Sequence, residues 1–231
     1  MQVDIKFKSN EKELHGKLDI ISKTAPIVIF FPGVSGGALT DRYNFLSDAV
    51  LAAGANFFRF NFSAQEDGCP LDNSNLQEEL VDIKNTIDHL ETLGYNLKKF
   101  GVVAKSFGCI KVFLLKDPRI SCVILLSPTC FFNDKPNTPD VLFRKYADIS
   151  KPQEIILDAQ LLRKWSTPTL IFLGSEDALL NPLDMKKQFE TLSAKKEILF
   201  LEGATHSLDR PHDITQIKEK VTFFLKKFML K

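Results

Sequence analysis

The chain has 231 residues, of which 44% are hydrophobic and 26% are charged, as in ordinary globular proteins. Its formal net charge of +1 provides no strong field for nucleic acid, an anionic membrane surface or a strongly acidic partner. The first residues lack the apolar stretch of a signal peptide, and no apolar run approaches the roughly 18 residues of a membrane helix. A cytoplasmic protein without a membrane span is therefore expected.

The four cysteines show no pairing pattern. Cys69, Cys109, Cys122 and Cys130 include no Cys-x-x-Cys pair and follow no regular spacing, and Cys109 and Cys122 lie in apolar surroundings. This usage indicates free thiols in a reducing compartment and does not favour a metal site.

The chain begins with alternating apolar and polar residues at Val3–Phe7 and Leu14–Ile20, which predict two strands with one solvent-facing side. The continuous run Ile27–Phe31 predicts a strand buried on both faces, followed by a glycine-rich turn. Further strands are predicted at 55–62, 100–104, 122–126, 169–173 and 197–201, and helices at about 40–53, 76–93, 110–115, 183–192 and 213–230. This alternation indicates a mostly parallel sheet covered on both faces.

The stretch Ala104–Gly108 carries the first candidate for chemistry. An apolar strand stops at Ser106, small residues stand two positions before and after it, and an amphipathic segment follows at Ile110–Leu115. A sharp strand-to-helix turn of this kind exposes a serine hydroxyl at its apex. The alternative is a buried serine with no chemical role, because the pattern alone is weak.

Polar residues just beyond two later strands favour the catalytic interpretation. Ser106, Asp177 and His206 each follow a predicted strand, and the carboxyl ends of parallel strands meet at one edge of a sheet. Their order, nucleophile then acid then histidine, matches one of the convergent serine-triad designs. In such a triad the histidine takes the serine proton and the aspartate orients the imidazole. Glu176 and Asp184 are weaker candidates for the acid.

A triad that attacks a carbonyl also needs two donors for the developing oxyanion. The backbone N–H of Phe107 directly follows the nucleophile, and that of Val34 lies in the glycine-rich turn after the first buried strand. Both are predicted as oxyanion donors, with Ser35 as the alternative to Val34.

The chain resembles the α/β-hydrolase superfamily from the strand at Ile27 to the C-terminal helix. The matching stretches are Phe30–Gly37, Arg59–Ser63, Ala104–Gly108, Pro168–Asp177 and Gly203–Ser207. Within the superfamily it is most similar to small, nearly lidless members of the dienelactone-hydrolase, serine-aminopeptidase-like and acyl-esterase group. The resemblance implies one α/β-hydrolase domain over 1–231, with about eight strands, an antiparallel start and a short helical excursion at about 131–166.

The sequence departs from the family pattern at Ala104 and Pro32, and also at Asn61, where the family often has aspartate. Ala104 replaces the commoner first glycine of the turn, and Pro32 stands where a histidine often precedes the oxyanion glycine. The first change adds one methyl group. The second leaves the backbone donors in place but changes the surroundings of the oxyanion turn.

Most of the candidate substrate contacts also have a purely structural interpretation. Lys105 either attracts an anionic substrate group or extends its amine to solvent. Ser35 is a further candidate contact. The excursion supplies candidate acyl contacts that are equally expected as core residues: Phe131, Phe132, Phe143 and Trp165.

Together these features predict a serine hydrolase that acts on a small-molecule ester or thioester of a small or medium acyl group. No metal or organic cofactor is implied. An acyltransferase or a peptidase would use the same triad, and a non-catalytic binding protein on this fold is a third alternative. The natural substrate and the oligomeric state do not follow from the sequence.

Overall fold

In the computed structural model of the chain, the described residues are 1–34, 37–66, 75–132, 156–157 and 159–229. The strands in this part of the chain are β1 (Gln2–Ser9), β2 (Lys12–Asp19), β3 (Ile27–Phe31), β4 (Asn56–Phe60), β5 (Phe100–Lys105), β6 (Ile120–Leu126), β7 (Phe131–Phe132), β8 (Ile156–Leu157), β9 (Thr169–Gly174) and β10 (Lys196–Leu201). The α-helices are α1 (Asn44–Ala53), α2 (Ser63–Glu66), α3 (Leu76–Thr92), α4 (Gly108–Leu115), α5 (Ala159–Lys164), α6 (Pro182–Phe189) and α7 (Pro211–Phe228).

Eight of the strands form one sheet in the order β1-β2-β4-β3-β5-β6-β9-β10. The pairs β1–β2 and β2–β4 are antiparallel, and every other neighbouring pair in this sheet is parallel. The predicted fold class, a mostly parallel sheet with an antiparallel start, is confirmed. The carboxyl ends of β3, β5, β6, β9 and β10 therefore lie at one edge of the sheet.

The central strands are apolar on both sides because helices cover both faces of the sheet. In β3, Ile27, Ile29 and Phe31 belong to one buried cluster, whereas Val28 and Phe30 belong to the other. The first cluster is closed by α3, α4, α5 and α6, and the second by α1 and α7. Burial of side chains this size contributes about 1.5–3 kcal/mol each, so the two layers hold the strand ends in place.

Several helix boundaries differ from the predicted ones. A 3₁₀ turn occupies Asp41–Tyr43, so α1 begins at Asn44 and not near Thr40, although Gly54 ends it in the left-handed conformation with φ 95°. The last helix begins at Pro211, two residues before the predicted Asp213. Proline suits a first helical turn because its missing N–H has no partner to lose there.

The predicted excursion at 131–166 is described only in part. A two-stranded parallel pair, β7 and β8, and the short helix α5 lie within it, and Phe143 lies outside the described residues. The strand pair was not predicted, because two-residue strands leave no periodic pattern to read.

In the described ranges, no helix combines the length and the apolar composition needed to cross a bilayer.

Candidate active site

Ser106 occupies a strained turn at the carboxyl end of β5. Its φ is +52°, a left-handed value that is uncommon for a residue with a side chain. Its N–H bonds to the carbonyl of Leu126 at 2.9 Å, which fixes the turn against β6. A Cβ on Gly108 would lie 2.2 Å from the carbonyl oxygen of Phe31 and 2.6 Å from that of Pro32. The turn therefore requires glycine after the serine, whereas Ala104 is accommodated before it, fully buried.

The three predicted triad residues lie in contact. Ser106 Oγ is 2.9 Å from His206 Nε2, and His206 Nδ1 is 2.7 Å from Asp177 Oδ2. The carboxylate accepts from the Nδ1–H tautomer, which leaves Nε2 as the acceptor for the serine hydroxyl. Asp177 is 7% exposed, so its carboxylate is largely shielded from water, whereas Ser106 and His206 are half-buried.

The loop after β9 holds the acid in place. The second carboxylate oxygen of Asp177 accepts hydrogen bonds from the N–H groups of Leu179 at 2.9 Å and Leu180 at 3.2 Å. Of the three candidate acids, Asp177 is the one bonded to His206, whereas Glu176 is exposed. Both carboxylate oxygens are thus engaged, Oδ1 by two backbone N–H groups and Oδ2 by His206.

The loop after β10 carries His206 and is tied to the acid loop. The N–H of Glu176 bonds to the carbonyl of Ala204 at 2.9 Å, and the N–H of Gly203 bonds to Ser175 Oγ at 2.7 Å. Gly174 lies so close to this loop that a Cβ there would be 2.4 Å from the Ala204 carbonyl oxygen. Asp177 and His206 are therefore presented by two loops that pack directly on each other.

The glycine-rich turn after β3 lies beside Ser106. A Cβ on Gly33 would be 3.1 Å from Ser106 Cβ. The Gly33 carbonyl accepts a hydrogen bond from Gln65 Nε2 at 2.8 Å. Because a trans peptide directs its C=O and N–H to opposite sides, this bond orients the N–H of Val34 away from Gln65. Phe107 immediately precedes α4, and Ser35 lies outside the described residues.

Lys105 is buried, so the alternative in which its amine reaches solvent is wrong. It is 5% exposed, and its Nζ donates a hydrogen bond to the backbone carbonyl of His206. Burial lowers the pKa of Lys105 to about 7, although the nearby carboxylate of Asp177 opposes that shift. The amine is thus engaged by the loop that carries the base.

Two residues after β6 were missed by sequence reasoning. Thr129 Oγ1 lies 3.2 Å from Ser106 Oγ, and Ser127 Oγ donates to the carbonyl of His206 at 2.9 Å. Both side chains are buried. The signal that could have found them is their position, because they follow a strand that neighbours β5 in a parallel sheet.

The other predicted substrate contacts do not all lie near the triad. Trp165 packs edge-on against Phe113 with ring centroids 4.8 Å apart, and its Nε1–H bonds to Thr169 Oγ1 at 3.1 Å. Thr169 begins β9, so Trp165 lies at the amino edge of the sheet, opposite the triad. It is a core residue, and its expected contact with substrate is not supported. The side chain of Phe131 lies outside the described part of the chain.

A second buried lysine supports the helix that follows the nucleophile. Lys111 in α4 lies 2.8 Å from Glu79 Oε2 in α3, and its Nζ lies 4.5 Å from the ring centre of Phe62 and 4.9 Å from that of Phe107. Cation–π contacts of this kind add to the ion pair where water is excluded. The pair joins α3 to the start of α4, close to the turn that presents Ser106.

No protein-family model matches the chain, and no curated protein matches it by sequence. Solved structures match over nearly the full length. Est1E from Butyrivibrio proteoclasticus, in a structure with bound ferulic acid, is 16% identical with a TM-score of 0.81, covering 98% of this chain and 100% of its own. A dienelactone hydrolase from Anabaena variabilis is 16% identical with a TM-score of 0.69, covering 99% and 98%. The esterase domain of a Rhodothermus marinus protein is 15% identical with a TM-score of 0.73, covering 99% of each chain.

These similarities establish the fold of the chain, which is the α/β-hydrolase fold. The resemblance deduced from the motifs is confirmed at that level. Because function on a given fold is decided by the site and not by the architecture, the activity has to be argued from the residues described above.

Proposed function

We propose that the protein is a serine hydrolase that cleaves a carboxylic ester or thioester of a small or medium acyl group, with Ser106 as nucleophile. The observation that carries the proposal is the continuous relay from Ser106 Oγ through His206 to Asp177, with contacts of 2.9 and 2.7 Å. Contacts of this length are within the reach needed for proton transfer. The matched esterases and dienelactone hydrolase support the same class of chemistry on the same fold.

In the proposed first step, Ser106 Oγ attacks the substrate carbonyl carbon while His206 Nε2 takes the serine proton. The carbonyl π electrons move to oxygen, and a tetrahedral intermediate forms. His206 then returns the proton to the leaving alcohol or thiol as the bond to it breaks, which leaves an acyl ester on Ser106. Asp177 stabilises the imidazolium that exists between these events.

In the second step, His206 removes a proton from water as the water oxygen attacks the acyl carbon. Collapse of the second tetrahedral intermediate breaks the bond to Ser106 Oγ, which recovers its proton from His206. The carboxylic acid leaves. Every proton that Ser106 gives up is thus returned, and the protein ends unchanged.

The oxyanion of both intermediates is assigned to the N–H groups of Val34 and Phe107. The bond from Gln65 to the Gly33 carbonyl supports the first assignment, because it orients the peptide that carries the Val34 N–H. The place of Phe107 directly before α4 supports the second. Fixed donors of this kind stabilise developing charge without reorganisation, and removal of one typically costs about 100- to 1000-fold in kcat.

The proposal is tested by covalent labelling. The wild-type protein is incubated with a fluorophosphonate, and its intact mass is measured. One adduct is expected, mapped to the peptide that contains Ser106, and the Ser106→Ala variant should remain unlabelled. A wild type that gains no mass would refute the serine-hydrolase proposal. Hydrolysis of p-nitrophenyl esters of increasing acyl length, with thioester analogues alongside, would then define the substrate class.

A further inference from the structure

The base of the candidate triad is held at three points. Its imidazole contacts Asp177 through Nδ1 and Ser106 through Nε2, and its backbone carbonyl accepts two hydrogen bonds. The donors to that carbonyl are Lys105 Nζ and Ser127 Oγ. Two contacts thus set the direction of the ring, and two others set the position of the backbone from which it projects.

The donor Lys105 directly precedes the nucleophile. Consequently the turn that presents Ser106 is hydrogen-bonded to the loop that presents His206, although Ser106 and His206 are 100 positions apart in the chain. A displacement of about 1 Å between reacting groups can cost about 100-fold in rate. A bond that locks the two loops together at this point therefore acts on the distance between nucleophile and base.

We propose that Lys105 is a positioning residue for catalysis. Its amine donates to the His206 carbonyl, and this bond holds the loop that carries His206 at a fixed distance from Ser106. This inference rests on the proposed function, because the distance between Ser106 and His206 affects the rate only if His206 accepts the serine proton. Lys105 itself touches no reacting atom and is not assigned a chemical step.

The choice of lysine makes the positioning contact sensitive to pH. Burial lowers the pKa of Lys105 to about 7. The charged and titratable groups that act on its amine are Cys109 in α4, Asp177 after β9, Arg42 in the 3₁₀ turn and Asp209 before α7. A hydrogen bond from an ammonium group is roughly twice as strong as one from a neutral donor. The contact therefore weakens as the pH rises through neutrality, whereas the contact from Ser127 does not titrate.

The test compares variants at the two donors. The second-order rate of labelling by a fluorophosphonate is measured from pH 5.5 to 9.5 for wild type, Lys105→Met, Lys105→Arg and Ser127→Ala. Lys116→Met repeats the first substitution at an exposed lysine just after α4 and should behave as wild type. Melting temperatures of all variants are recorded, so that labelling rates are compared only among folded proteins.

For wild type, the rate should fall above neutrality as Lys105 loses its proton. Lys105→Met should label about tenfold more slowly near neutrality and lack the falling limb. Lys105→Arg stays charged throughout the range and should also lack the falling limb. This variant replaces Lys105→Met in the comparison if the methionine variant does not fold. Ser127→Ala should label more slowly with the wild-type profile shape.

A Lys105→Met profile with the same shape as wild type, slowed or not, would overturn the positioning role. If that variant does not fold, a falling limb retained in Lys105→Arg has the same meaning. The failure of this inference is distinct from failure of the proposed function, because the latter would appear as no labelling of the wild type at any pH.

Discussion

At the scale of single residues, the hydroxyl of Ser106 makes two polar contacts within the described part of the chain. His206 Nε2 lies 2.9 Å from it, and Thr129 Oγ1 lies 3.2 Å from it. Because Ser106 donates its proton to the imidazole, Thr129 is the donor in the second contact. In the proposed mechanism, a hydroxyl that donates to Ser106 Oγ favours the negative charge that builds up there during proton transfer. The N–H of Thr129 also bonds to the Ser106 carbonyl at 3.1 Å, which fixes this donor relative to the nucleophile.

Substitution of Thr129 by valine removes the hydroxyl and keeps the shape of the side chain. A typical hydrogen bond contributes about 0.5–1.5 kcal/mol, so the expected result is a fall in kcat of about two- to tenfold with KM little changed. The measurement is steady-state hydrolysis of a p-nitrophenyl ester. Thr129→Ser, which keeps a donor, serves as the matched control and should retain most of the activity. A valine variant as active as wild type would show that the contact has no part in catalysis.

At the scale of elements, the site depends on how closely α4 approaches the end of β3. The first residue of α4, Gly108, lies against the carbonyl groups of Phe31 and Pro32, with no space for a side chain. This close approach places the start of the helix, and with it Phe107, next to the turn that follows Pro32. The turn after β3 and the turn that holds Ser106 thus pack directly against each other as one unit.

Substitution of Gly108 by alanine should disrupt this unit. Its Cβ would lie 2.2 Å from a backbone oxygen, and overpacking of this kind typically costs about 1–3 kcal/mol or more. The melting temperature should fall by about 2–4 °C for each kcal/mol, and fluorophosphonate labelling should slow sharply.

Gly94→Ala is the matched control for this change. Gly94 has φ +84° and no atom within 4 Å of an added Cβ, so only the left-handed backbone is penalised, by about 1–2 kcal/mol. It should lower the melting temperature without slowing the labelling rate of the folded protein. Equal labelling losses in the two alanine variants would contradict the assigned role of Gly108.

At the scale of the whole molecule, the two apolar layers on the sheet create a dry interior in which ionisable groups behave unusually. Burial raises the pKa of Cys109 and of Cys122 to about 12, and it lowers that of Lys105 to about 7. All three shifts have the same first cause, since an apolar surrounding disfavours the charged form. The global stability of the protein therefore depends on pH through buried groups.

The contribution of Lys105 to that dependence has a definite sign. Its pKa is about 7 in the folded chain against 10.5 for an ordinary lysine, so between these values the unfolded state binds more protons. Stability then rises with pH over this window and is lowest, for this group, below about pH 7. The buried thiols act in the opposite direction above about pH 9, where unfolded cysteines ionise first, so the window from pH 7 to 9 isolates the lysine.

Urea unfolding of wild type and Lys105→Met at pH 7, 8 and 9 measures this effect. The free energy of unfolding of the wild type should rise relative to that of the variant at each step. A difference between the two proteins that stays constant across the three values would show that Lys105 keeps an ordinary pKa in the folded chain.

The fold class could be predicted from the sequence, as could the order along the chain of the sheet strands and the longer helices. Runs such as Ile27–Phe31 are apolar at every position because both faces of their strands are buried, and that pattern is readable without coordinates. The sequence also singled out Ser106, Asp177 and His206, because each follows a strand within a few residues and parallel strands end at a common edge. Helix ends were less accurate, since the 3₁₀ turn before α1 leaves no signal in the apolar spacing.

The contacts between polar side chains could not be predicted from the sequence and became known from the folded chain. Lys105 could not be distinguished from a solvent-exposed lysine in the sequence, because its burial depends on the loop of His206 folding over it from 101 positions away. Thr129 contacts Ser106, and Gln65 contacts Gly33, and in both pairs the partners are remote in the chain. Trp165 is a core residue because its indole bonds to Thr169 at the opposite edge of the sheet. Strand periodicity records what is buried, whereas the partners of a polar side chain depend on distances that local sequence does not contain.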